Sequence, residues 1–371
     1  MTEANIKKVL VVDDSAFMRK LITDFLNSHP ALKVVGVARN GKDAVEKLVL
    51  LKPDVITLDV EMPIMDGLEA LKEIMRIQPT PVVMLSSTTE RGAENTVIAM
   101  GSGAVDFVAK PGGAISLNLA LIKDEIIEKV FAAASVQVTK LKQGPGIIQE
   151  KKRENVMEQQ LPQNPSKTTI QGTLTKRFSV GGKKIVAIGT STGGPRALQE
   201  VLSQLPKNIA APIVIVQHMP VGFTKSLANR LNDLCAIAVK EVENGDLLED
   251  GVAYIAPGGE HFTIRKIGTA LVAEVNATEP PRCGHRPSVD VLFASIAKIP
   301  GLKCLAIVMT GMGNDGMAGT AQLKENRETI AIAESKETSV VYGMPRALVD
   351  QNLADEMIRL ENIASAITEI I

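Results

Sequence analysis

The chain has 371 residues, with 41 Lys and Arg against 42 Asp and Glu for a formal charge of −1, and it contains no Trp. That balance argues against bulk attraction to nucleic acid or an anionic membrane, and 3% aromatics argue against a base-stacking module. No apolar run reaches the roughly 18 residues that cross a bilayer, so no membrane insertion is expected.

Residues 1–8 lack the apolar core of a signal peptide, and a cytoplasmic protein is expected. Cys235, Cys283 and Cys304 form no CxxC pair, which fits reduced thiols and argues against a zinc site. The length predicts two or three domains. In chain order, Val9–Val12, Val34–Ala38, Val55–Leu58, Val82–Leu85 and Asp106–Ala109 read as strands. Helical spacing fills Phe17–Leu26, Gly41–Leu51 and Gly67–Ile77 between them. Such alternation predicts a parallel sheet with helices on both faces. From Gly144 to Lys176 the chain turns polar, rich in Gln, Lys, Glu, Asn and Pro, and cannot bury enough surface to offset its ordering entropy. Alternation resumes at Lys184, with strands expected at Ile213–Val216, Gly251–Ala256, Ala270–Val275, Cys304–Met309 and Thr329–Ala333. The fold class is therefore α/β. Two doubly wound parallel-sheet domains are expected over 5–130 and 183–371, joined by a polar linker over 131–182.

The first domain gathers acids at its strand ends. Asp13 and Asp14 follow the first strand, Asp59 ends the third, Ser86 follows the fourth and Lys110 the fifth. In a parallel sheet these ends share one edge, where ligands bind. Carboxylates brought together there repel one another unless a hard cation, most simply Mg2+, neutralises them. Asp59 is then a candidate phosphoryl acceptor, with Lys110 and the Ser86 hydroxyl as phosphate contacts. Together with the Met62–Gly67 turn and Lys110-Pro111, these residues make the stretch from 7 to about 128 resemble a two-component response-regulator receiver domain, which is flavodoxin-like in fold. The resemblance implies a metal site of Asp13, Asp14 and Asp59, phosphorylation of Asp59, a hydroxyl switch at Ser86 and an aromatic switch at Phe107.

The second domain opens with an apolar strand that runs into Gly189-Thr-Ser-Thr-Gly-Gly194. Gly-x-Ser-x-Gly at a strand-to-helix turn exposes a serine hydroxyl, here Ser191, ahead of a helix expected over Pro195–Leu205. A serine nucleophile needs a base. Of four histidines, His218 follows an apolar run and sits at a strand end like Ser191. His285, in a loop, is the main competitor; His261 reads as a turn residue and His29 belongs to the first domain. Asp315 follows a third apolar strand and is the candidate to orient the imidazole. The backbone N–H groups of Thr192 and Met312 are candidate oxyanion donors.

A second resemblance rests on Gly189–Arg196, Gln217-His-Met-Pro220, Tyr254–His261, His285–Asp290 and Thr310–Met317. Residues 183–371 look like the catalytic domain of bacterial chemotaxis protein-glutamate methylesterases of the CheB type. That resemblance implies a triad of Ser191, His218 and Asp315. It also implies hydrolysis of glutamate 5-methyl esters and deamidation of specific glutamines on chemoreceptors, with no cofactor for the esterase step and a chemotaxis histidine kinase as phosphodonor. Arg196 and Arg286 are candidates to meet acidic receptor surface. The alternative is a receiver-controlled, non-catalytic module binding a ligand or partner; a transcription factor is disfavoured by the neutral charge.

Overall fold

The computed structural model describes residues 6–110, 119–137, 178, 181–325 and 328–371. The expected linker, 131–182, lies largely outside them. The first domain runs β1 (Lys7–Val12), α1 (Ala16–Asn27), β2 (Leu32–Ala38), α2 (Gly41–Leu51), β3 (Val55–Asp59), α3 (Gly67–Ile77), β4 (Val82–Ser86), α4 (Glu90–Gly101), β5 (Asp106–Ala109) and α5 (Leu119–Ala133). The second runs β6 (Lys184–Thr190), α6 (Gly194–Leu202), β7 (Ile213–Gln217), α7 (Phe223–Leu234), β8 (Ala238–Glu241), β9 (Val252–Ile255), β10 (His261–Ile267) and β11 (Ala270–Asn276). It continues with α8 (Val289–Ala297), β12 (Lys303–Val308), α9 (Met317–Lys324), β13 (Thr329–Glu334), α10 (Met344–Asp350), β14 (Glu356–Ile358) and α11 (Leu360–Ile370).

Among the described residues the first domain holds a five-stranded sheet in the order β2-β1-β3-β4-β5, all parallel. This is the flavodoxin-like order. The second holds a seven-stranded parallel sheet, β14-β13-β12-β6-β7-β9-β8. Central strands such as β3, β4, β7 and β12 are buried on both faces. Their continuous apolar runs follow from that, since helices cover each side. The chain enters the larger sheet at β6, builds outward through β7, then returns to β12 on the other flank. The crevice beyond the end of β6 is therefore the topological switch point, the preferred place for a ligand in such sheets.

Two expectations need correction. Ala270–Val275 is a strand, but it does not join the parallel sheet. As β11 it pairs antiparallel with β10 in a separate hairpin, with His261 opposite Asn276. His261 is thus the first residue of a strand and not a turn residue. The strand His261–Ile267 alternates too weakly and carries too much charge toward its end to announce itself from sequence.

The two domains pack together. α4 lies against α6 and α7. The Phe107 ring stacks on the Phe223 ring at 4.7 Å between centroids and 24° between planes. Both rings are buried, and one apolar cluster runs through Phe107 and Val97 of the first domain to Phe223 and Leu227 of the second.

Candidate functional site

At the edge of the smaller sheet, Asp13 and Asp59 are buried and Asp14 is exposed. One ligand oxygen from each lies within 4.8 Å of the others. Lys110 bridges two of them, with Nζ 2.9 Å from Asp13 Oδ2 and 2.7 Å from Asp59 Oδ2. Burial raises the Asp59 pKa to about 6, aided by Asp13 and opposed by Lys110. Lys110 is pushed down by its burial, but Asp59 and Asp13 outweigh that and hold it above the ordinary lysine value. A set of three close carboxylates, two of them buried, is a hard oxygen donor set that fits Mg2+. The backbone here is tight: a Cβ on Gly67 would sit 2.1 Å from the Asp59 carbonyl oxygen. Ser86 Oγ is wholly buried and donates to the Gly92 carbonyl at 3.0 Å. Ser87, its neighbour, pairs with Thr89 Oγ1 at 2.9 Å.

The larger sheet places Ser191, His218 and Asp315 by register. Thr190 of β6 is opposite Gln217 of β7, so Ser191 and His218 leave adjacent strand ends side by side. Gly189 is opposite Val308 of β12 on the other flank, which brings in Thr310 and then Asp315. The turn at Ser191 is fixed from three sides. Its N–H donates to the Thr310 carbonyl at 3.0 Å, and its carbonyl accepts from Gly194 N–H at 2.7 Å and Gln217 Nε2 at 3.0 Å. Gly194 is required, since a Cβ there would meet Gln217 Oε1 at 2.0 Å. Gly193, at φ 79°, supplies the left-handed residue that starts α6.

His218 Nε2 lies 2.8 Å from Asp315 Oδ2. Its Nδ1 is buried and has no hydrogen-bond partner among the described residues. Asp315 is 2% exposed and otherwise held by the start of α8. Val289 N–H donates to Oδ2 at 2.8 Å; Ser288 Oγ and Asp290 N–H donate to Oδ1, each at 2.9 Å. Burial pushes the Asp315 pKa up, but the His218 hydrogen bond and charge, with those amides, outweigh it and hold the acid below its ordinary value. An ionised Asp315 fixes the proton on Nε2, so Nδ1 is the basic nitrogen. Cys283 and Asp290 also lie near Asp315. Asp290 Oδ1 is already engaged by the Gly316 and Gly319 amides at 3.0 and 2.6 Å, so this cluster is a hydrogen-bonded hub rather than a cation site.

His285 is not bonded to Asp315. It stacks on His218 at 3.8 Å and 13°. His261 is buried with Nε2 3.1 Å from the Pro280 carbonyl, and His29 packs on Phe131. The N–H groups of Thr192 and Met312 donate to no protein acceptor among the described residues. Arg286 spends Nη1 on the Ala277 and Glu279 carbonyls, and half-buried Arg196 lines a different cavity beside Glu334.

A cavity of about 530 Å³ holds Ser191, Thr192, His218, His285 and Met312, and its other wall is the first domain's Asp106, Glu125 and Lys129. Sequence reasoning missed this wall. Thr192 Oγ1 donates to Asp106 Oδ2, and Lys129 Nζ donates to the Phe107 carbonyl at 2.6 Å while lying 3.5 Å from Asp106 Oδ1. Nothing in the sequence pairs these residues. The Ser288 cap was findable as a serine directly before an apolar helix.

Comparison with known proteins gives the family of each domain. Residues 186–367 match the family model for the CheB methylesterase, and residues 9–122 match that for the response regulator receiver domain. A protein-glutamate methylesterase/protein-glutamine glutaminase of Geobacillus kaustophilus is 55% identical over 365 residues, covering 98% of each chain. The protein of that description in Bacillus subtilis is 46% identical over 364 residues, again 98% of each. The crystal structure of the Thermotoga maritima CheB methylesterase catalytic domain matches with a TM-score of 0.50 at 41% identity, covering 52% of this chain and all of that one.

Proposed function

Because the chain belongs to the CheB methylesterase family and carries a receiver domain ahead of it, we propose that Ser191, His218 and Asp315 hydrolyse glutamate 5-methyl esters under the control of phosphorylation at Asp59. The protein is a receiver-controlled protein-glutamate methylesterase and protein-glutamine glutaminase. Ser191 Oγ attacks the side-chain acyl carbon while His218 Nδ1 takes its proton. His218 returns that proton to the departing methoxide, which leaves as methanol, or to the departing amine, which leaves as ammonia. Water, deprotonated by the same nitrogen, then splits the acyl-enzyme into glutamate and free Ser191. Asp315 stays ionised and stabilises the imidazolium. The N–H groups of Thr192 and Met312 receive the charge that develops on the acyl oxygen.

The observation that carries this reading is the His218–Asp315 pair, with Nδ1 left free, at the strand end next to Ser191. A phosphodonor kinase and a protein substrate follow from the two domain types. We assign these as a chemotaxis histidine kinase and the cytoplasmic helices of methyl-accepting chemoreceptors, which places the reaction in the cytoplasm. Asp13, Asp14 and Asp59 would hold a Mg2+ ion, which would supply the positive charge that phosphoryl transfer to Asp59 needs. Lys110 and Ser86 then hold phosphoryl oxygens. The receiver walls the cleft in the unphosphorylated form, and phosphorylation shifts that docking equilibrium through Ser86 and Phe107.

The test is methanol release from methylated chemoreceptor membranes, with and without Mg2+ and acetyl phosphate. Release should rise with the phosphodonor and vanish in Ser191→Ala. Undiminished release by Ser191→Ala would overturn the nucleophile assignment; activation that persists in Asp59→Ala would overturn the switch.

A further inference from the structure

Among the described residues the His218 imidazole is anchored by a single ring hydrogen bond, to Asp315. One bond leaves a ring free to tilt and swing about it. His285 covers the opposite freedom. Its ring lies face to face with His218, at 3.8 Å and 13°. The segment that presents it is built to stay put. Arg282 and His285 exchange backbone hydrogen bonds of 3.0 and 2.9 Å. Cys283 and Gly284 between them have φ of 52° and 81°, both left-handed, as a two-residue type I′ turn demands. Gly259 N–H donates to the Arg286 carbonyl at 3.0 Å, and the Arg286 guanidinium is tied to two further carbonyls. Three residues on, Ser288, Val289 and Asp290 supply the donors that grip Asp315. One continuous stretch therefore holds the acid at one end and covers the base at the other.

We propose that His285 is a positioning residue for the esterase reaction, whose flat ring clamps the His218 imidazole in the plane that keeps Nε2 on Asp315 and Nδ1 free for Ser191. The inference rests on the triad assigned above. His285 is suited to the task because it carries no competing charge. Burial first, then the His218 charge and Lys129, push its pKa down to about 4 against the pull of Asp315. A neutral ring also offers its π face to the imidazolium that forms during the reaction. His285 takes no proton itself. Any flat neutral ring of similar size does the same work, and an aliphatic chain of similar volume does not.

The experiment compares His285→Phe with His285→Leu in the full-length protein, assayed for methanol release with acetyl phosphate. Ser191→Ala runs beside them, and thermal melts verify folding. His285→Leu should lower kcat roughly 10- to 100-fold with KM nearly unchanged, as expected for a misplaced base. His285→Phe should restore kcat to within about threefold of wild type, the scale of one aromatic contact. If the Leu variant does not fold, His285→Gln takes its place against Phe. Wild-type kcat in Leu or Gln, or a Phe variant as slow as they are, would overturn the clamp. Methanol release surviving in Ser191→Ala would instead strike the triad itself, so the two failures are distinguishable.

Discussion

Among the described residues Asp315 accepts from four donors, one of them His218, the proposed base. Replacing it with Asn would turn an amide N–H₂ either toward the Val289 and Asp290 N–H groups, which can only donate, or toward His218 Nε2, which would favour the wrong His218 tautomer. Asp315→Asn should therefore lower kcat by roughly 10³- to 10⁴-fold, measured as methanol release at saturating phosphodonor. Because its folded pKa is depressed, Asp315 contributes stability that is fully present above the ordinary carboxylate value of 3.8 and lost as pH falls through the lower folded value. The catalytic domain should show no loss from this group between neutrality and mild acid. Asp59 has the opposite sign. Its pKa is raised to about 6, so the metal-free receiver favours the protonated acid below that value and loses that stability as pH rises through it. A cation must displace that proton. Mg2+ affinity, followed by calorimetry, should weaken by about tenfold per pH unit below about 6. An affinity that stays flat across that range would remove Asp59 from the metal site.

At the scale of elements, three neighbouring strands do most of the placing. β7, β6 and β12 are adjacent, and each leads into a segment that carries one of the proposed triad residues. This was legible in the sequence because each strand is a short apolar run that stops at a motif. β3 and β4 were equally legible, being buried on both faces. The β10–β11 hairpin was not. Pairing partner and direction depend on which strand lies alongside, and an apolar run such as Ala270–Val275 reads the same in a parallel sheet or a hairpin. The turn after β6 makes a sharp prediction. Gly194→Ala would drive a Cβ into Gln217 Oε1 and Thr190 Oγ1, at 2.0 and 2.5 Å. It should cost about 1–3 kcal/mol in urea unfolding of the catalytic domain. It should also lower kcat, since Gln217 Nε2 holds the Ser191 carbonyl.

At the scale of the whole molecule, the receiver meets the catalytic domain at β5, the strand that carries Phe107, the proposed aromatic switch. Phe107, on β5, stacks on Phe223, and Asp106 beside it takes the Thr192 hydroxyl next to Ser191. If Asp59 and Ser191 act as proposed, these two contacts join the receiver directly to the turn that carries Ser191. Phe107→Ala removes the stack, a contact of about 0.5–1.5 kcal/mol. It should raise methanol release by the unphosphorylated protein roughly two- to tenfold and shrink the activation by acetyl phosphate accordingly. Unchanged basal release would mean that the stack does not hold the closed arrangement.

The sequence by itself determined the α/β class, the strand ends and the acidic cluster around Asp59, and it offered Ser191, His218 and Asp315 as candidates at three strand ends, with His285 as competitor to His218. All of these are local: an apolar run, a turn, and the residue that follows. Only the tertiary structure decided which nitrogen of His218 meets Asp315, which ring stacks on it, and that the receiver's Asp106 reaches Thr192. These are contacts between segments that lie as much as 97 residues apart. They depend on chain packing in three dimensions, where the same side chain can pair with any of several partners and burial selects the one that leaves fewest polar atoms unmet.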